Sequence, residues 1–139
     1  MTVLNKNIRL NTKGNCDMID VTAEIAGEIK NSNIDSGIAT IFITGSTAGI
    51  TTIEYESGVL RDYKDMWDRN VPSNIAYQHD QRWGDGNGYS HVRASLQGPS
   101  LVVPFAHKKM MLGTWQQIVV VDFDNRARSR EIVLQLLGE

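Results

Sequence analysis

Between Tyr77 and His91 the chain reads Tyr-Gln-His-Asp-Gln-Arg-Trp-Gly-Asp-Gly-Asn-Gly-Tyr-Ser-His. Two of the three histidines, His79 and His91, fall here with Asp85 and Asn87, and glycines stand at 84, 86 and 88. Imidazoles titrate near neutral pH and bind transition metals, while carboxylate and amide oxygens suit harder cations. Glycine lets the backbone adopt positive φ or approach a bound group closely. No apolar core needs that mixture, so the stretch reads as a site loop.

The spacing predicts how these groups meet. If Asn87 caps a helix, His91 lies one turn on along the same face, Val92 and Leu96 supply apolar positions, and Gly98-Pro99 ends the helix. His79, two residues after Tyr77, is expected in a short extended segment. Two histidines, Asp85 and Asn87 then converge where a strand ends and a helix begins. A metal on His79, His91 and Asp85 is one use; two imidazoles and an oxygen favour zinc, whereas magnesium prefers oxygen alone. The same residues also suit a simple cap and turn carrying surface histidines.

Other stretches carry chemistry of their own. Gly45 to Thr52 is small and hydroxyl-rich, and Ser46, Thr47 and Thr51 with backbone N–H groups could hold a phosphate; a tight loop explains it equally well. It has no Walker lysine and no GxGxxG. Glu54 and Glu56, two apart on an expected strand, would share a face as a paired acid or cation site, or simply face water. Trp115 and Gln116 sit inside an apolar run, where they could line a pocket or an interface. Arg126, Arg128 and Arg130 alternate along one strand face, as an anion site or a solvated edge. His107, in a lysine-rich turn, is expected to be solvated.

The elements that must position these groups follow from periodicity. Val3 to Thr12 predicts a first strand, closed by the turn Lys13-Gly14-Asn15, and Met18 and Ile19 continue extended. Val21, Ile25 and Ile29 recur every four residues and predict a helix over 21–30 capped by Asp20. Ile38 to Ile43 lacks polar alternation and predicts a strand buried on both faces. A helix is expected over 59–69, with Leu60, Tyr63 and Trp67 inward and Pro72 closing it. Ser100 to Phe105 predicts a strand in which Pro104 suits a sheet edge or a strand end. Met110 to Phe123 predicts one long strand with a bulge at Gly113, and Arg130 to Leu137 another, giving an antiparallel meander.

The chain is therefore expected to be one α+β domain over residues 1–139. With 14 basic and 16 acidic residues the formal charge is −2, which offers no electrostatic footprint for nucleic acid. No apolar run is long enough to span a membrane, and no secretory leader is legible. Cys16 is the only cysteine, so no internal disulfide can form and a cytoplasmic location is expected. As a lone small residue near a turn, Cys16 reads as structural rather than nucleophilic.

As a set, Gly45-Ser46-Thr47-Ala48-Gly49-Ile50-Thr51-Thr52-Ile53-Glu54, Tyr77-x-His79, Gly84-Asp85-Gly86-Asn87, Ser90-His91-Val92-Arg93-Ala94-Ser95-Leu96-x-Gly98 and Leu112-Gly113-Thr114-Trp115-Gln116 resemble the YjbQ family. The resemblance runs from about Asp20 to the C-terminus. It implies a compact, mostly antiparallel β-sandwich-like core with two to three helices, assembled as a homotrimer. It also implies a secondary thiamine-phosphate synthase activity, joining a pyrimidine pyrophosphate to a thiazole phosphate; the alternative is a binding trimer without efficient catalysis. Carried over by position, His79, Asp85, Asn87 and His91 form the polar cluster, with Glu54, Trp115 and Gln116 beside it. Asp85 and Glu54 would then hold hydrated magnesium, or the histidines zinc. The chain departs from many relatives at Gly45, where they carry histidine.

Overall fold

A computed structural model describes all of residues 1–139. Eight strands and four helices follow in the order β1 (Thr2–Thr12), β2 (Asp17–Asp20), α1 (Thr22–Asn31), β3 (Gly37–Ile43), β4 (Ala48–Ile53), α2 (Ser57–Asn70), α3 (Gln78–Trp83), α4 (Gly88–Gln97), β5 (Ser100–Ala106), β6 (Lys109–Met110), β7 (Gln117–Asp122) and β8 (Arg128–Gly138). A five-stranded sheet has the order β1-β8-β3-β5-β6 and a three-stranded sheet the order β2-β7-β4. Every pairing is antiparallel. The α+β class and the two-sheet core are as expected, with the short α3 added to the three helices.

Two apolar layers hold the elements. Between the sheets, Ile41, Ile43, Ile132, Leu134 and Leu136 pack against Ile50, Ile118 and Val120, and Ile25 and Ile29 of α1 close the layer. Each such isoleucine or leucine contributes roughly 1.5–3 kcal/mol through burial. On the other face of the small sheet, Val119, Val121 and Phe123 pack against Trp67 and Val71 from α2 and its end, and Tyr89 and Ala94 of α4. Trp67 meets the Phe123 ring edge-on at 5.1 Å.

β7, not β3, is therefore the strand buried on both faces. In β3 only alternate residues are buried, and Ile38 and Phe42 face outward. The physical reason is topological: helices cover the small sheet, but nothing in the chain covers the outer face of the large one. The expected meander also fails. β7 leaves the large sheet for the centre of the small one, and β8 returns between β1 and β3. That crossing breaks the expected 110–123 strand, because the chain must change sheets. Gly113 belongs to a turn in which the Gln116 N–H reaches the Gly113 carbonyl at 3.0 Å. Trp115 is 73% exposed on that turn.

Helix starts follow local chemistry. Asp20 Oδ1 accepts from the Thr22 N–H at 3.0 Å, so Asp20 serves the start of α1 from one residue before the cap position. Glu56 caps α2, accepting from the Gly58 and Val59 N–H groups at 2.9 and 2.8 Å. This corrects the paired-acid expectation: β4 ends at Ile53, and Glu56 is spent on the helix.

Candidate functional site in the α3–α4 cleft

The segment from Tyr77 to His91 folds as the short α3, a glycine-rich turn and the start of α4. Tyr77 leads into α3, which ends at Gly84 in the left-handed conformation, φ 74°. His79 is thus on a helix rather than an extended segment. Asp80 Oδ1 accepts from the Gly88 N–H at 2.8 Å, tying α3 to the first residue of α4. The Asn125 amide donates to the Asp85 carbonyl at 2.8 Å and anchors the loop to the β7–β8 turn. The result brings the His79 and His91 rings to 4.4 Å, tilted by 41°.

His79 Nδ1 lies 3.6 Å from both Asp80 Oδ1 and Asp85 Oδ1, is buried, and makes no hydrogen bond. One ligand atom from each of these three residues lies within 4.8 Å of the others. This grouping replaces His91 by Asp80 in the expected ligand set. Imidazole with two carboxylate oxygens at this spacing fits a divalent cation, because an otherwise orphaned nitrogen gains a partner. His91 stands behind His79, and burial lowers its pKa, aided by the neighbouring His79 and opposed by Asp124, Asp85 and Asp80. It is held as neutral imidazole, a ligand or hydrogen-bonding group rather than a fixed cation.

Asn87 occupies the predicted cap position but does not cap with its side chain. Only 4% exposed, it donates through Nδ2 to Asp124 Oδ1 at 3.2 Å, and its Oδ1 is buried without a partner. Asp124 also accepts from Thr47 Oγ1 at 3.0 Å, Arg128 Nε at 2.7 Å and the Asn125 N–H at 2.8 Å. Burial alone would raise its pKa; these hydrogen bonds, led by that of Asn87, hold it below the usual carboxylate range. Beside it, fully buried Asp122 receives Arg130 Nε at 2.7 Å and Nη2 at 2.9 Å. Two buried aspartates are thus matched by two arginines, which corrects the reading of Arg130 as a solvated edge residue.

Most of the groups with which these aspartates pair face a cleft of about 350 Å³. Its helical wall presents His79, Asp85, Asn87 and His91, and its strand wall Arg128 and Arg130, with Ser46 and Thr47 between. The other expected site residues stand elsewhere in the chain. Glu54 and Trp115 border a separate depression with Asp20 and Glu56. Thr51 and Gln116 lie in a groove between β4 and β5, where Gln116 Nε2 donates to Thr52 Oγ1 at 3.1 Å. His107 is exposed, 3.3 Å from Asp35. Cys16 is buried, and burial pushes its thiol up to about 11, consistent with a structural role.

Sequence reasoning missed Asp80, Asp122 and Asp124. A signal was available for the last two: they continue the apolar run Ile-Val-Val-Val, where a charge needs a buried partner, and the alternating arginines supply it.

Fold and site together define a single-domain protein of two antiparallel sheets, with an imidazole–carboxylate wall facing a guanidinium wall. The family model of UPF0047 protein YjbQ-like matches residues 6–139, and the chain belongs to that family. A UPF0047 protein of Methanothermobacter thermautotrophicus is 35% identical over 139 residues, spanning 100% of this chain and 95% of its own. The UPF0047 protein YugU of Bacillus subtilis is 31% identical over 135 residues, 96% and 98% of the two chains. A YbjQ-like protein of unknown function from Sulfolobus solfataricus, at 29% identity, superposes with a TM-score of 0.92 over 99% of both chains. No helix of the present chain is long and apolar enough to cross a membrane.

Proposed function

We propose that the cleft binds a phosphate-bearing small molecule and carries a secondary thiamine-phosphate synthase activity. The observation behind this reading is the buried, unpartnered His79 Nδ1 flanked by Asp80 and Asp85, opposite arginines across one cleft. In that reaction the thiazole ring nitrogen forms a bond to the pyrimidine methylene carbon. The carbon–oxygen bond to pyrophosphate breaks and its electron pair leaves with pyrophosphate. No proton is removed from the nitrogen, so the demand is charge stabilisation at the leaving group rather than a strong base.

The residues suit that demand. His79, Asp80 and Asp85 would hold a divalent cation, zinc or magnesium, which when bound supplies neutralising charge to phosphate oxygens. Neutral His91 can donate a hydrogen bond to phosphate or complete the ligand set. Ser46 and Thr47 border the space a phosphate would fill. Glu54, Thr51, Trp115 and Gln116 take no part within one protomer. The family resemblance supplies the identity of the two precursors.

The test is thiamine-phosphate formation from the phosphorylated pyrimidine and thiazole, comparing the unsubstituted protein with His91→Ala, before and after chelation and metal return. Rates should fall at least tenfold in the variant and follow the metal. Equal rates in the two proteins would overturn the reading.

A second reading, a ligand-binding homotrimer without efficient catalysis, draws on the outer face of the large sheet. Val3 on β1, Ile38 and Phe42 on β3 and Val102 on β5 are exposed there. Such a surface suits burial against other copies, two of them in the homotrimer that the family resemblance implies. A cytoplasmic location is also part of our proposal, supported by a single, buried thiol.

A further inference from the structure

We infer that Arg130 and Gly45 form an oxyanion subsite in the cleft, one that takes a phosphoryl or pyrophosphoryl group without a metal. The inference rests on the reading of the cleft as a phosphate site and assigns where the anion sits. Arg130 is only 8% exposed, and two of its three guanidinium nitrogens are committed. Nε and Nη2 donate to the two oxygens of Asp122 at 2.7 and 2.9 Å, and Nη2 also donates to Thr47 Oγ1 at 2.6 Å. Nη1 donates to nothing in the chain, although Arg130 lines the cleft. On a side chain that is otherwise clamped and largely buried, this one donor without a protein acceptor is left open to an anion in the cleft.

Gly45 keeps the donor open. A Cβ built on Gly45 would lie 2.5 Å from Arg130 Nη1, closer than the two atoms can approach. The backbone there has φ 111°, which favours glycine independently. A side chain at 45 must therefore push the guanidinium aside or fill the space in front of it. Arg128 adds to the subsite: only its Nε is bound, to Asp124, leaving its terminal nitrogens unbonded in the same cleft. Asp122 takes the Nε–Nη2 fork, so Arg130 offers an anion the two N–H groups of Nη1, held in place before any ligand arrives. Each arginine is already balanced by an aspartate, so the attraction comes from aimed N–H groups more than from net positive charge.

Titration calorimetry with inorganic pyrophosphate in EDTA tests the subsite apart from metal and turnover. The unsubstituted protein should bind. Gly45→Ala should weaken binding at least tenfold, and so should Arg130→Lys, which keeps a cation opposite Asp122 but has no Nη1. Circular dichroism and melting temperature report whether either variant fails to fold. Arginine side-chain ¹⁵N NMR of the unsubstituted protein gives a readout independent of both, since pyrophosphate should shift one guanidinium strongly. No binding in EDTA, unshifted arginine signals, or undiminished affinity in the folded variants would overturn the inference. Binding with those losses upholds it even if no thiamine phosphate forms, in which case the proposed reaction fails alone.

Discussion

At the scale of single residues, His91 connects environment to pH. Burial, then the neighbouring His79, lowers its pKa from 6.5. Between its native value and 6.5 the unfolded chain binds more protons than the native one, so this group's contribution to stability falls as pH drops through that window. Asp124 acts lower on the scale. Its pKa lies below 3.8, so the stability it confers is present above that value and is lost only as pH falls through the native pKa. Replacing His79 by glutamine removes the repulsion between imidazoliums and should raise the His91 pKa. Proton NMR titration of the His91 ring checks this, and a pKa that stays put or falls would mean His79 is not what depresses it.

At the scale of elements, the site depends on how closely α3 approaches α4. A Cβ on Gly88 would meet Tyr77 Cβ at 2.6 Å and Asp80 Oδ1 at 3.2 Å. Gly88→Ala should therefore cost about 1–3 kcal/mol by overpacking and pry Asp80 from the α4 N-terminus. Urea denaturation measures the first effect, and zinc titration, expected to weaken, measures the second. Unchanged stability and unchanged zinc affinity would mean that the close approach of α3 to α4 does not set the site. Most elements were legible in the sequence because local periodicity specifies them: Val21, Ile25 and Ile29 for α1, and Gly98-Pro99 for the end of α4. The convergence of His79, His91, Asp85 and Asn87 was also legible, since all lie within one short stretch. Less accessible was anything set by long-range pairing. Asp122 and Asp124 meet Thr47 and the arginines only after β7 crosses between sheets. The even exposure of β3 on one face depends on what the topology leaves uncovered, which no local pattern records.

At the scale of the whole molecule, the outer face of the large sheet is left uncovered. The register places Ile38 opposite Leu137 and Pro104, Thr40 opposite Val102 and Gln135, and Phe42 opposite Val133 and Ser100. Apolar rows thus run across several strands rather than standing singly. If copies associate through this face, Phe42→Glu should shift the sedimenting species to a protomer while leaving the circular dichroism spectrum intact. An unchanged mass would place the assembly surface elsewhere.

The junction of Asn87 and Gly88 also bears on how the protein ages. An Asn-Gly step is prone to spontaneous deamidation, in which the glycine nitrogen attacks the asparagine side-chain carbon. Here the Gly88 N–H is held by Asp80 and the Asn87 amide by Asp124, so that attack must wait for a local opening. When it does occur, a new carboxylate appears in the place of an amide 3.2 Å from a buried aspartate, where like charges cannot both be accommodated cheaply. The damage would not reverse, and the molecule's useful lifetime is then set by how seldom α3 and α4 part.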